Sequence, residues 1–125
     1  MKNSESSFYE KRSHPRFKCN FPVKIMTEHG IFTGMSVDIS IGGIKIASPE
    51  SFAIGQVVKL NFKLPTMASA IEVGACVLWK MEPLHGLQFD KLQSEDILGL
   101  IQMFNESDYG LVFDSAGSFY GTRVY

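Results

Sequence analysis

The stretch IEVGACVLWKM, residues 71–81, decides the fold class, because apolar side chains recur at every second position along it. Side chains on a β-strand alternate between the two faces of the sheet, so this spacing is typical of a strand with one buried face. The odd-numbered residues are predicted to face the core. Trp79 shares their parity and is therefore expected to be buried.

Shorter stretches with the same alternation lie on both sides of this run, at residues 21–26, 31–39, 44–46, 58–64 and 87–89. Unbroken alternation in 31–39 would place Ile31 and Met35 on the same face as Ile39. Glycine and proline residues lie between these stretches, which indicates turns. His29 and His85 each precede a glycine and are expected to lie in such turns.

Six short strands joined by close turns predict a mostly β fold, an antiparallel barrel or sandwich in which closure removes exposed sheet edges. The periodicity changes after Ser94, a plausible N-cap, where apolar residues recur at helical spacing. A helix is predicted over residues 95–106, with its apolar face on one end of the barrel. A further strand in the aromatic tail, residues 108–125, is an open possibility.

Composition supports a single globular domain, with 125 residues, 45% hydrophobic and 20% charged. The net charge of −1 hides a net +3 over residues 10–18 and −4 over residues 19–125. A basic arm on a mildly acidic body favours a small anion held at one place over a nucleic-acid polymer. Cys19 and Cys76 follow no metal or redox spacing, and no stretch is long enough for a membrane helix. A cytoplasmic protein without cofactor, metal or direct membrane insertion is expected.

The polar stretch 1–18, predicted to be a flexible N-terminal arm, contains Lys11, Arg12 and Arg16. Two of the three arginines of the chain lie here, whereas six of the seven basic residues outside the arm are lysines. Arginine offers a planar fork of donors that fits a phosphate or a guanine edge, which lysine cannot match. The alternative is an ordinary solvated basic arm.

A second motif, Asp38-x-Ser40-x-x-Gly43, ends the stretch 31–39. Asp38 could accept hydrogen bonds from the N–H groups of a guanine, and a glycine allows a close approach to the backbone. The alternative is a tight turn capped by Asp38 and Ser40, with Gly42 and Gly43 at positive φ.

Taken together, Arg12-x-x-x-Arg16 and Asp38-x-Ser40-x-x-Gly43 resemble the two-part signature of PilZ domains, the bacterial receptors for cyclic diguanylate (c-di-GMP). Gly86-Leu87-Gln88-Phe89 is similar to the Gly-x-x-Phe of the last barrel strand in that family. The resemblance covers about residues 10–106 and divides the chain into the arm 1–18, a PilZ-like barrel plus helix at 19–106, and the tail 108–125.

The resemblance implies a non-enzymatic c-di-GMP receptor that signals by ordering its arm. Arg12 and Arg16 would contact phosphate and guanine, Asp38 and Ser40 would bind a guanine edge or phosphate, and Gly43 would leave room. Lys11 would suit the extra phosphates of a stacked ligand dimer.

A downstream protein partner and a homodimer are compatible with this assignment. The alternatives are a PilZ-like protein-interaction adaptor that does not depend on the nucleotide, and a barrel that binds single-stranded RNA. An RNA-binding barrel would need exposed aromatic residues in a basic groove.

Overall fold

The computed structural model describes residues 15–107, and these residues form seven strands and one helix. The strands are β1 (Phe17–Lys18), β2 (Pro22–Thr27), β3 (Gly30–Ile39), β4 (Gly43–Ala47), β5 (Val57–Phe62), β6 (Ile71–Met81) and β7 (Leu84–Phe89). The helix, α1, spans Ser94–Ser107. The predicted tail strand and Lys11 and Arg12 of the arm lie outside the described residues.

The strands β2 to β7 close into an antiparallel barrel. Their order is β3-β2-β5-β6-β7-β4, and β4 pairs back onto β3. The predicted six-stranded antiparallel barrel with a C-terminal helix is confirmed. Phe17 and Lys18, which the sequence places in the arm, instead form β1, a short strand on the outer side of β3.

The core consists of the inward-facing aliphatic residues of the barrel and one face of α1. Val23, Ile44, Leu60 and Val77 are fully buried in the barrel, and Leu100 of α1 packs with them. The helix begins with Glu95 and Asp96 in its first turn, where acidic side chains interact favourably with the helix dipole. None of the described helices is long and apolar enough to span a membrane.

A β-bulge in β3 changes which of its residues face the core. The pairing with β4 steps from Ser36–Ile46 to Asp38–Lys45, so Val37 is an extra residue. Ser36 before the bulge and Ile39 after it are both buried, whereas Ile31 is 66% exposed and Met35 46% exposed. The expectation that Ile31 and Met35 share the face of Ile39 is therefore wrong, because it assumed unbroken alternation.

A second bulge lies in β6, where the pairing with β7 steps from Val77–Leu87 to Trp79–Gly86 and leaves Leu78 as the extra residue. Val77 is fully buried, but Trp79 is 39% exposed. The expected burial of Trp79 is wrong for the same reason as in β3. The extra residue turns the indole to the outer face of the barrel.

His85 lies inside the barrel in β7 and is not the turn residue that the sequence suggested. Its side chain is 1% exposed and contacts the ring of Phe52 edge-on, with ring centroids 5.4 Å apart. The Phe52 amide donates a hydrogen bond to His85 Nε2 at 3.3 Å, which requires that nitrogen to be unprotonated. Burial lowers the pKa of His85 from its ordinary value of 6.5.

The buried imidazole predicts a loss of stability on mild acidification. Because the folded pKa is depressed, only the unfolded chain binds a proton as the pH first falls below 6.5, so the free energy of unfolding decreases there. Urea unfolding of His85→Leu between pH 7.5 and pH 5 should show a weaker pH dependence than wild type. The variant should also lose about 1–3 kcal/mol at pH 7.5, since the Phe52 amide loses its acceptor.

The matched control is His29→Gln, at an exposed position in the β2–β3 turn, which should keep the wild-type pH dependence. An equal pH dependence in wild type and His85→Leu would contradict the prediction.

Candidate functional site

One row of side chains crosses the outer face of the barrel beside the turn at residues 40–43. The strand register pairs Lys18 with Asp38, Asp38 with Lys45, Lys45 with Gly86, and Gly86 with Trp79. Paired residues project to the same side of a sheet, so the row joins two lysines, a carboxylate and an indole across five strands.

Asp38 is the centre of charge in this row. Its Oδ1 accepts hydrogen bonds from Arg16 at 2.8 Å and 3.2 Å, and its Oδ2 lies 3.2 Å from Lys45 Nζ. The Asp38 side chain is 14% exposed and that of Arg16 is 49% exposed. Because the Arg16 side of the pair is half exposed, we expect its contribution to be close to the roughly 0.2–1 kcal/mol of solvent-exposed ion pairs, so a stronger anion could draw Arg16 away at little cost.

Arg16 reaches Asp38 because the residue after it is anchored to the barrel and to the helix. The Phe17 ring stacks on the Phe104 ring of α1, with centroids 3.8 Å apart and planes 8° apart. Phe17 also pairs with Ile39 in the β1–β3 ladder.

The Cys19 thiol follows β1. Burial raises its pKa to about 11, so this thiol is protonated and unreactive at neutral pH.

Ser40 holds the turn that follows β3. Its Oγ accepts hydrogen bonds from the amides of Gly42 at 3.2 Å and Gly43 at 3.3 Å, and its own amide donates to the Gly43 carbonyl at 2.8 Å. The side chain is only 3% exposed. In this conformation the hydroxyl shapes the turn, as the tight-turn alternative expected.

Gly43 is required by the neighbouring strand. A Cβ at Gly43 would lie 2.3 Å from the carbonyl oxygen of Leu87, a backbone atom of β7. Positive φ occurs at Gly30 and Gly55, whereas the expectation of positive φ at Gly42 and Gly43 is wrong. The absence of a side chain at Gly43 therefore allows the backbones of β4 and β7 to approach each other closely.

The two lysines of the row, Lys18 and Lys45, and its indole, Trp79, were not predicted as site residues from the sequence. A Cβ at Gly86 would lie 2.1 Å from Trp79 Nε1, so the indole rests directly on this glycine. Lys45 is the other register partner of Gly86, so it flanks the glycine that the indole covers. The bulge in β6 explains the outward position of Trp79, because simple alternation assigns Trp79 to the core.

Of the predicted site residues, the structure brings Arg16, Asp38, Ser40 and Gly43 to one end of β3. Arg12 and Lys11 are outside the described part of the chain. Within residues 15–107, no group of three or more histidine, cysteine, aspartate or glutamate side chains could hold a metal ion.

The sequence profile of the PilZ domain matches residues 10–106. The chain belongs to the PilZ family. PilZ domains are ligand-binding effector domains of c-di-GMP signalling. Among curated proteins, none matches the chain.

Solved PilZ structures share the fold. The PilZ domain of YcgR from Escherichia coli, solved with c-di-GMP, is 11% identical with a TM-score of 0.56, over 75% of this chain and 88% of that one. The PilZ domain of CeSA from a cellulose-synthesizing bacterium is 17% identical with a TM-score of 0.55, over 71% and 93%.

The Bacillus subtilis inhibitor of motility, MotI/DgrA, is 26% identical with a TM-score of 0.62, over 73% of this chain. The aligned region spans about half of that protein, 48% of its length.

The contact at Gly43 predicts that this motif glycine is needed for stability even without a ligand. Gly43→Ala should lower the free energy of unfolding by about 1–3 kcal/mol, because the added methyl group meets the β7 backbone. Thermal and urea unfolding of the ligand-free protein measure the effect.

Gly74→Ala is the control, because its added Cβ would lie 3.7 Å from the nearest atom, an ordinary contact. The control should change stability by no more than about 1 kcal/mol. Equal stabilities of the two variants would show that the β4–β7 approach does not require the glycine.

Proposed function

We propose that this PilZ domain is a non-enzymatic receptor for c-di-GMP, which it binds on the row of outward side chains beside the 40–43 turn. The observation that carries the proposal is the cation cluster around Asp38, where Arg16 and Lys45 share one carboxylate and Lys18 lies in register with it. Three cations around one carboxylate leave a local excess of positive charge. Such an excess favours a ligand with two phosphates.

Arg16 and Asp38 supply complementary recognition of guanine and phosphate. When the ligand binds, the Arg16 fork turns from Asp38 to a phosphate or to the Hoogsteen edge of a guanine. Asp38 then accepts N–H groups from a guanine, and Lys45 remains beside it to balance the charge. Arg12 adds a second fork, and Lys11 suits the additional phosphates of a stacked ligand dimer.

Ser40 and Gly43 contribute through the turn they form. Ser40 orients the amides of Gly42 and Gly43, and the absent side chain of Gly43 keeps the turn flat against β7. A direct contact of the Ser40 hydroxyl with the ligand would require the turn to open, since the side chain is 3% exposed.

Signal output follows from the arm. The part of the predicted arm, residues 1–18, that precedes β1 is proposed to dock over the bound ligand, and the entropy lost when it orders makes the docked state dependent on the ligand. The new surface is read by a protein partner in the cytoplasm.

A ligand-independent adaptor is the second candidate, and the next outward row supports it. This row pairs Pro22 with Met35, Met35 with Ala47, Ala47 with Leu84 and Leu84 with Met81. Met35 is 46% exposed and Met81 is 70% exposed, so the row offers an apolar strip to a protein partner.

Loss of either arginine should weaken c-di-GMP binding without unfolding the barrel. Isothermal titration calorimetry of Arg12→Ala and Arg16→Ala should show affinities lower by about 10- to 100-fold, the usual effect of removing a charged hydrogen bond. Lys63→Ala, an exposed lysine outside the row, should bind as wild type.

Cyclic diadenylate should not bind the wild-type protein. Wild-type affinity in an arginine variant would remove that residue from the site, and wild-type protein that does not bind c-di-GMP would overturn the function.

Ligand binding should also change tryptophan fluorescence, because Trp79 is the only tryptophan of the chain and lies in the row. Stacking of a guanine on the exposed indole should quench emission in step with calorimetric saturation. Emission that stays constant while calorimetry reports binding would place the ligand away from Trp79.

A further inference from the structure

An open cleft of about 450 Å³ lies on the outer face of β5, β6 and β7. It is lined by Val57, Gly74, Ala75, Cys76, Gln88, Phe89 and Asp90. Its volume is within the range of small-molecule sites. Neither Arg16 nor Asp38 contributes to it.

The cleft continues the surface of the proposed ligand site. The register pairs Gly43 with Gln88, Gln88 with Cys76, and Cys76 with Val57. Neighbouring strands are about 4.8 Å apart, so Cys76 lies roughly 10 Å from the motif glycine across the sheet. A ligand that lies on the 40–43 turn can therefore extend into the cleft.

The floor of the cleft is open because Gly74 has no side chain and no neighbour takes its place. A Cβ on Gly74 would have Asp90 Cβ at 3.7 Å and Asp90 Oδ2 at 3.9 Å as its nearest contacts. At Gly43 and Gly86 the corresponding space is taken by the Leu87 carbonyl and the Trp79 indole. The absence of a side chain at Gly74 is thus not explained by packing within the barrel.

The walls of the cleft offer both polar and apolar contacts. The Asp90 carboxylate lies beside the floor, and Gln88, which also lines the cleft, pairs with Gly43 in the β4–β7 register. No hydrogen bond or ion pair within residues 15–107 engages either side-chain group. Val57, 74% exposed, supplies an apolar wall.

We propose that this cleft is a nucleobase subsite, which takes the guanine of c-di-GMP that is not bound at Asp38. The assignment rests on the proposed function. The base lies over Gly74 and against Val57. Asp90 accepts the N1–H and the 2-amino group of guanine, both of which are donors, and Gln88 faces the remaining polar edge.

This arrangement selects guanine over adenine. Adenine presents an acceptor, N1, and no 2-amino group at the same edge. A carboxylate opposite N1 would be repelled and left without a donor, which excludes the wrong base.

The test is calorimetric titration of Asp90→Asn and Gly74→Ala with c-di-GMP and with cyclic diinosinate, which lacks both 2-amino groups. Asp90→Asn should weaken c-di-GMP binding by about 10-fold or more, the effect expected from a charged hydrogen bond. It should also reduce the preference of the protein for c-di-GMP over cyclic diinosinate. Gly74→Ala should weaken both ligands, because the methyl group occupies the floor.

Thr33→Ala, an exposed position of β3 outside the cleft, is the control for Gly74→Ala, and unfolding curves confirm that each variant is folded. A nuclear Overhauser contact between a guanine H8 and the Val57 methyl groups of the wild-type complex gives an independent readout.

The outcomes separate the two proposals. If wild type binds c-di-GMP while Asp90→Asn keeps both its affinity and its preference, the cleft is not a base subsite and the receptor function stands. If wild type does not bind, the receptor function and the subsite are both overturned. A folded Gly74→Ala variant with wild-type affinity would exclude a base on the floor.

Discussion

The two β-bulges determine which side chains reach the outer face of the barrel. Val37 is the extra residue in β3, and Leu78 is the extra residue in β6. Each bulge shifts the alternation by one position, which turns Asp38 and Trp79 outward while Ile39 and Val77 remain in the core. Without both shifts, the row that crosses Lys45 and Gly86 would lack its carboxylate and its indole. The candidate site therefore depends on two local irregularities in an otherwise regular barrel.

The same region connects the arm to the helix. Arg16 contacts the carboxylate of β3, and the adjacent Phe17 stacks on Phe104 of α1. The ion pair is weak because Arg16 is half exposed, whereas the aromatic stack combines ring packing with burial of apolar surface. A change at Arg16 therefore leaves the β1 anchor in place, which lets the guanidinium move while the chain after it stays fixed.

The strand pattern and the helix could be predicted because alternation and helical spacing extend over many residues. The bulges could not, because valine and leucine at positions 37 and 78 fit a regular strand equally well. Their extra residues show only in the register between strands, and the predicted burial of Trp79 failed for this reason. His85 was misplaced because a glycine after it suggested a turn, while Gly86 in fact accommodates the indole. Arg16 and Asp38 were predicted to act together because their spacing resembles a known signature, and the structure joins their side chains.

The shape of the 40–43 turn has a consequence for how receptor candidates are chosen in genome surveys. Ser40 accepts hydrogen bonds from the amides of Gly42 and Gly43, and Gly43 faces the Leu87 carbonyl. Both motif residues are therefore needed for the folded structure itself. A barrel that no longer binds the ligand would still need both residues in order to fold. The serine and the glycine are thus explained by the fold itself, and under the proposed function the arginines ahead of the first strand are the residues that would distinguish a nucleotide receptor.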